Sequence, residues 1–479
     1  METSSAESLM ASGTIAVLAK ALRSGELSSQ RLTQWCLDRI ARFNPALNAV
    51  RTISARALDD ALKADAELAG GIDRGPLHGI PYLLKDNICT GDGMPTSAGV
   101  AALADWRPAA DATLVTRLRL AGAVLLGKTN LTELADYVSD VMPAEFSGAG
   151  GVVRNPHGLR YDRGQGSSIG SAAAVAAGLC VFAIGSETQN SLQTPASHSS
   201  VVGFKPTVGT VSRYGVVPLV PSQDSPGPLT RTVADAHAVF QALTIPDLRD
   251  TLTLAWPRAA QPGPAVAAAA LRLGVPRRAF ADREDHVGHA ADFARVLARL
   301  AGGGVTLLDP CDLEAADEIL AVRSSVFRTE FKAAFNAFLA DHGAPQGIGT
   351  LADLIRFNDA HPQHIPYGQS LLVAAEATRG IDDPTYLADR AQDLTLTRSR
   401  GIDGALGRNG ADALLLPMTV GARLSGKAGA PVVAVPCGAG ADGAPFAVTV
   451  IGRAGDDAKV LAAARVIEEL AGGRIVPAL

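Results

Sequence analysis

Aromatic residues are scarce in this chain. Trp, Tyr and Phe supply only 5% of its 479 positions, although apolar residues as a whole reach 47%. Ala, Gly, Val and Leu must therefore build the core, a composition suited to helices lying close against a sheet. Cysteine is sparse as well: the five, at positions 36, 89, 180, 311 and 437, are odd in number, widely spaced and never in a CxxC pair. That pattern argues against a disulfide framework and against a zinc ribbon, and it reads each cysteine as a small buried hydrophobe. Long apolar runs are missing too. The longest, residues 171–184, is shorter than the roughly 20 residues that a membrane span requires. No basic run or arginine stripe stands out, and the net charge is −5 with both signs interspersed. Neither nucleic acid nor a membrane is therefore expected as a partner. The opening METSSAESLMASG has neither the basic region nor the apolar stretch of a secretory signal, and the expectation is a soluble cytoplasmic protein.

What is present is an alternation of short apolar runs and Ala-rich segments. Ser28 or Ser29 can cap a helix whose apolar residues Leu32, Cys36, Ile40 and Phe43 recur at helical spacing. Strands are expected over 47–53, 80–85, 123–126, 180–184, 271–275, 304–308, 413–416, 432–435 and 446–450. Helices are expected over 55–69, 112–120, 168–178, 232–243 and 457–470. The alternation implies an α/β fold with a parallel or mixed sheet and helices on both faces. The Pro- and Ala-rich stretch 256–264 reads as a surface connection, and residues 312–408 as mostly helical without a chemical signature.

Some motifs suggest chemistry that their surroundings do not support. GAVLLGKT at 122–129 fits the phosphate-loop spacing, but a phosphate cradle needs a flexible loop between strand and helix. Here the middle residues are themselves a strand, and a helix precedes them. GQGSSIG at 164–170 resembles a dinucleotide fingerprint with one residue too many and no strand leading in. His286 and His289 lie three apart, as do His361 and His364, but neither pair has a third ligand or a nearby carboxylate in a zinc pattern. No metal and no cofactor are expected.

Three features remain. Lys85 ends the apolar run GIPYLLK, and the ends of strands are where open α/β sheets place ligand sites. Burial lowers a lysine's pKa because desolvation disfavours the ammonium, and a neutral lysine can act as a base. The plainer reading is a lysine that snorkels or pairs with Asp86. Gly166-Ser167-Ser168 opens an Ala-rich helix, where free N–H groups and hydroxyls gather at the positive helix end. The plainer reading there is an N-cap. Finally, the polar turn GSETQNS, ending at Ser191, follows a strand directly, a layout that can surround one serine with backbone N–H groups. Read alone, it is a surface loop. Together the three suggest a serine nucleophile activated by lysine in place of histidine.

The blocks GQGSSIGSAAAVAAG and GSETQNSLQTPASHSSVVGFKPTVGTVSRYGVVP closely resemble the signature of the amidase signature family. PLHGIPYLLKDN, AGAVLLGKTNLTELA, SQDSPGPLTRTVADA and the closing APVVAVPCG and PFAVTVIGR are similar to it as well, so the resemblance spans nearly the whole chain, weakest over about 250–410. LADYVSDVMPAEFSGAGGVVRNPHG and the Glu187-Thr188 pair look most like bacterial peptide amidases. The resemblance implies one amidase domain over 1–479, built on a large mixed sheet covered by helices on both faces. It implies an amide hydrolase acting through an acyl-enzyme on Ser191, with Ser167 as the bridging serine after a cis Gly166–Ser167 bond and Lys85 as the base. Backbone N–H groups of Thr188, Gln189, Asn190 and Ser191 would form the oxyanion hole. The substrate would be a small-molecule or peptide amide; whether the chain forms a homodimer is left open. Gln189 and Asn190 stand where the family usually has glycine, so Asn190 is expected to hold the strained φ of that glycine, and both side chains to crowd the acyl pocket. Gln193 stands where an arginine is common, and Ile169 where Gly or Ser is common. The alternatives are the glutaminase component of a tRNA-dependent amidotransferase, or an impaired or redirected member acting as a scaffold or in amide formation.

Overall fold

The computed structural model describes residues 2–256, 266–279 and 288–479, with side chains from residue 7 onward. Its strands are β1 Val50–Ile53, β2 Pro81–Lys85, β3 Val124–Thr129, β4 Phe146–Ser147, β5 Gly151–Val152, β6 Phe182–Glu187, β7 Val202–Lys205, β8 Ser225–Thr230, β9 Arg272–Gly274, β10 Thr306–Leu308, β11 Ala413–Pro417, β12 Val432–Ala439 and β13 Pro445–Ile451. Eleven of them form one twisted sheet in the order β1-β3-β2-β6-β8-β7-β12-β13-β11-β9-β10, and β4 pairs with β5 alone. β2 runs parallel to β3 and to β6, whereas β6 is antiparallel to β8. The sheet is therefore mixed.

Neighbouring residues along the central strands go to opposite cores, as a period of two requires. Tyr82, Leu84, Phe182 and Ile184 enter one core, with residues of the helices Ile15–Ser24, Thr113–Leu120, Val233–Leu243 and Asp457–Ala471. Leu83 and Ala183 enter the other, against the helices Ser29–Leu47 and Ile169–Ala176. Both faces of the sheet are covered. The small residues of Ile169–Ala176, all buried, let that helix lie close to the strand ends. Gly170 shows how close: a Cβ built there would lie 2.2 Å from the Asn130 carbonyl oxygen and 2.6 Å from that of Ala49. A third core joins Tyr137 to Phe331, Phe335 and Leu351, the last three from helices of the 312–408 region.

Most expected elements appear, within a few residues of their expected bounds. The helix from Ser29 continues to Leu47 through Pro45, taking in the first residue of the strand expected at 47–53, and β1 starts only at Val50. The Asn44 side chain then bridges to the strand, accepting from Val50 N at 2.7 Å and donating to Val50 O at 2.8 Å. Ser28 is the N-cap and accepts from Arg31 N at 3.1 Å. The surface connection expected at 256–264 lies, after Trp256, outside the described residues, as does His286. Four strands were not expected: the short pair β4 and β5, and β7 and β8 in the large sheet. β8 reads SPGPLT, a sequence that looks like a loop because proline has no N–H for a ladder. Its prolines pair opposite Ser186 and Ile184 of β6, while β7 pairs only with Leu229 and Thr230. β7 therefore needs no N–H from Pro226 or Pro228. No helix among the described residues is long and apolar enough to cross a membrane.

Gly170→Ala should cost about 1–3 kcal/mol or more through overpacking against backbone that cannot yield, seen as a lower urea midpoint. Gly302→Ala, where a Cβ meets nothing, serves as the control. Equal midpoints for the two variants would contradict the packing described.

Candidate active site

β2 and β6 are parallel neighbours, and both end at the same edge of the sheet, one on Lys85 and the other on Ser186-Glu187. Lys85 is fully buried. Its Nζ lies 2.7 Å from Ser167 Oγ, 3.1 Å from Ser186 Oγ and 3.2 Å from the Ser186 carbonyl oxygen. Asn87 Nδ2 donates to the same Ser186 Oγ at 2.9 Å. Asp86 does not pair with the lysine: it faces the other way and accepts from Ser97 Oγ at 2.5 Å and from Arg51 at 3.2 Å. Burial lowers the Lys85 pKa to about 7, against the weaker opposing pull of Asp224, Glu187 and Asp136.

Ser167 follows a cis peptide bond from Gly166. The next residue, Ser168, ties this segment to both neighbouring turns. Its N–H donates to the Ser191 carbonyl oxygen at 3.0 Å, and its hydroxyl donates to Ser186 O at 3.0 Å and accepts from Ser186 N at 3.2 Å. Ser191 is buried at the start of the short helix that runs on through Gln193–His198. The structure thus brings Lys85 and Ser167 into direct contact and sets Ser191 beside them through the backbone. The Ser191 hydroxyl itself makes no hydrogen bond to Ser167.

The turn carrying Ser191 is held from inside by Glu187. This buried carboxyl accepts from Leu192 N at 2.6 Å, from Gln193 N at 2.9 Å and from Gln193 Nε2 at 2.5 Å. Desolvation raises its pKa, with Lys205 pulling the other way. Thr188 Oγ1 donates to Asp224 at 2.6 Å, Gln189 Nε2 donates to Gln223 Oε1 at 3.0 Å, and Asn190 Nδ2 donates to the Gly164 carbonyl. Among the described residues, no protein acceptor takes the backbone N–H of Thr188, Gln189, Asn190 or Ser191.

Two expectations for this turn need correction. Asn190 is not among the residues with positive φ, so it does not hold a glycine-like backbone. Nor do the two side chains stand free in the acyl pocket. Asn190 is turned to Gly164, and Gln189 lies against Gly426, where a Cβ would come 2.6 Å from Gln189 Cγ. The missing side chain at 426 makes room for the one gained at 189.

The other motifs resolve as structure. Lys128 of the phosphate-loop look-alike is a buried strand residue donating to Ile88 O at 2.5 Å and Thr96 Oγ1 at 2.9 Å. No group of three His, Cys, Asp or Glu side chains among the described residues could hold a metal. Sequence reasoning missed Ser186, Asn87, Asp224 and the bracing role of Glu187. The signal for Asn87 and Ser186 was their place at the ends of β2 and β6, one or two residues from groups already singled out. A cavity of about 240 Å³ reaches Asn87, Ser186 and Thr188 from outside.

Residues 31–427 match the family described as Amidase. The chain belongs to the amidase signature family. The crystal structure of native peptide amidase from Stenotrophomonas maltophilia superposes with a TM-score of 0.85 at 38% identity, covering 97% of this chain and 98% of that one. A putative amidase of Schizosaccharomyces pombe is 31% identical over 502 residues, covering 95% of this chain and 85% of that protein. A glutamyl-tRNA(Gln) amidotransferase component from Symbiobacterium thermophilum is 34% identical over 469 residues, covering 91% of this chain and 92% of that protein. As a member of the amidase family, the chain is a hydrolase of carbon–nitrogen bonds in amides.

Within this amidase, Glu187→Ala strips the acceptor from three donors at once. The expected loss is about 2–4 kcal/mol, since each buried donor left unpaired costs about 1–3 kcal/mol. Thermal unfolding of the variant checks this, and an unchanged Tm would show that the turn is held otherwise.

Proposed function

We propose that the protein hydrolyses a carboxamide through an acyl-enzyme on Ser191, with Ser167 and Lys85 relaying the proton. The observation that carries this reading is the buried contact between Lys85 Nζ and Ser167 Oγ at 2.7 Å. A neutral amine has two N–H donors and one lone pair. Ser186 O and Ser186 Oγ, the latter already accepting from Asn87, can take the two donors. That leaves the lone pair facing the Ser167 hydroxyl, which then donates to Lys85 and offers its own oxygen to the proton of Ser191.

In the first half-reaction Ser191 Oγ bonds to the amide carbon while its proton passes through Ser167 to Lys85. The carbon–nitrogen bond breaks, and the nitrogen leaves as ammonia or an amine carrying that proton. In the second half-reaction water gives a proton back through the same relay, its oxygen bonds to the acyl carbon and Ser191 is released. The negative oxygen formed in each step would be met by the free N–H groups of the turn from Thr188 to Ser191, aimed where charge develops. Burial of Glu187 under that turn keeps its shape. A peptide C-terminal amide or an arylamide is the leading substrate class, supported by the similarity to a peptide amidase. The similarity to a glutamyl-tRNA(Gln) amidotransferase component favours a second reading as a glutaminase, which differs in requiring partner proteins before glutamine is hydrolysed.

Ser191→Ala should reduce ammonia release from a panel of primary amides to the blank. Lys85→Ala and Ser167→Ala should each lower kcat/KM by roughly 10²–10⁴-fold, the range of a lost general base. Wild-type rates in either variant would refute the relay. Because the Lys85 pKa lies near about 7, lowering the pH through that value protonates the lone pair. The wild-type kcat/KM should then fall on the acid side with a midpoint near neutrality, and a flat profile down to pH of about 5 would contradict the assignment.

A further inference from the structure

A second cavity, of about 510 Å³, opens on the same turn and has no part in the relay. It lies between the segment 319–328 and the helix Ala422–Ala428, and Gln189, two positions before Ser191, forms its inner wall. That helix presses on the turn itself: Gly426 faces Gln189 Cα and the Thr188 carbonyl oxygen, and Ser425 Oγ accepts from Gln193 Nε2 at 3.3 Å. Whatever occupies the cavity therefore sits against the turn that carries Ser191.

The charges lining this cleft are unbalanced. Arg323, Arg328, Arg423 and Lys427 face it, against the single acid Asp393. Lys427 and Asp393 neutralise each other in a buried pair at 2.5 Å. No acidic side chain pairs with Arg323, Arg328 or Arg423 among the described residues; Arg323 donates only to the carbonyls of residues 320–322. The acids in adjoining segments are engaged elsewhere: Asp389 accepts from Ser325 N, Glu330 from Ser222 and Tyr386, and Asp224 from Thr188. Three unpaired guanidinium groups gathered at one cleft, on a chain whose net charge is −5, concentrate positive potential beside the turn that leads to Ser191. Phe327, which lines the same cleft and packs on Tyr137 at 5.6 Å between ring centroids, adds an apolar wall.

We propose that the amide substrate carries a carboxylate, held by Arg323, Arg328 and Arg423 in this cleft while its carboxamide lies at Ser191. The inference rests on the amide-hydrolase reading above, and it adds the charge of the substrate to it. Guanidinium groups suit this task because their planar forks match a carboxylate.

The test compares N-succinyl-phenylalaninamide, which carries a carboxylate, with the neutral N-acetyl-phenylalaninamide. Ammonia release is measured with the wild type and with the double variant Arg328→Gln/Arg423→Gln. Both arginines are exposed, so the variant keeps its core, and circular dichroism verifies this. The succinyl amide should be preferred by about fivefold or more in kcat/KM, mostly through KM, and added salt should shrink the preference by screening. In the double variant the ratio should fall towards one. Equal kcat/KM for the two amides, a preference for the neutral one, or a preference that the double variant retains would each overturn the proposal. If neither amide releases ammonia above the Ser191→Ala blank, it is the hydrolase reading that has failed. Calorimetry with N-succinyl-phenylalanine then decides the charge question separately: weaker binding to the double variant than to the wild type supports the cleft, and identical binding overturns it.

Discussion

A lysine buried without a counter-ion is the constraint around which this site is arranged. Taking an ammonium out of water is costly unless it is paired, and Lys85 has only hydroxyls and one carbonyl around its nitrogen. The group meets that cost by giving up its proton near neutrality. A lone pair then sits at the end of a parallel strand, 2.7 Å from a serine, with no histidine involved. The neighbouring acids show how the arrangement is kept: Asp86 is tied to Ser97 and Arg51, and Asp224 to Thr188. Either carboxylate swung towards Lys85 would favour its charged form.

The sheet supplies the precision. β2 and β6 are paired from Tyr82–Phe182 to Leu84–Ile184, and just beyond that ladder Lys85 Nζ bonds to Ser186, so the central strands hold the two residues together. The Ala-rich helix Ile169–Ala176 can approach only because Gly170 leaves space for two carbonyl oxygens, and the residues leading into it are Ser167 and Ser168. Ser168 then bonds both to Ser186 and to Ser191, joining three segments of chain at one hydroxyl and one N–H. The proposed site thus lies on strand ends and a helix start, which are rigid places to hold side chains.

Much of this was legible in the amino-acid sequence, for reasons that differ by element. The run PYLLK and the Ala-rich helix after Ser168 announce themselves by apolarity and spacing, and the family resemblance named Lys85, Ser167 and Ser191. β8 was not legible, because SPGPLT is loop-like and becomes a strand only between β6 and β7, where tertiary context overrides local preference. Gln189 and Asn190 misled in the opposite direction. Read alone they predict crowding and a strained turn, yet Gly426 accepts the first and Gly164 the second. Those compensations lie far away in sequence, and no local pattern reveals them. The arginines of the second cleft were silent for the same reason, since Arg323, Arg328 and Arg423 meet only in three dimensions.

The ionisation of a single amine decides the central claim. Lysine side chains labelled with carbon-13 at Cε can be followed by nuclear magnetic resonance against pH, with the Lys85→Met protein identifying the signal. The account predicts a midpoint near about 7 for Lys85. A midpoint near the ordinary lysine value of about 10.4 would show a charged ammonium at neutral pH and would contradict it.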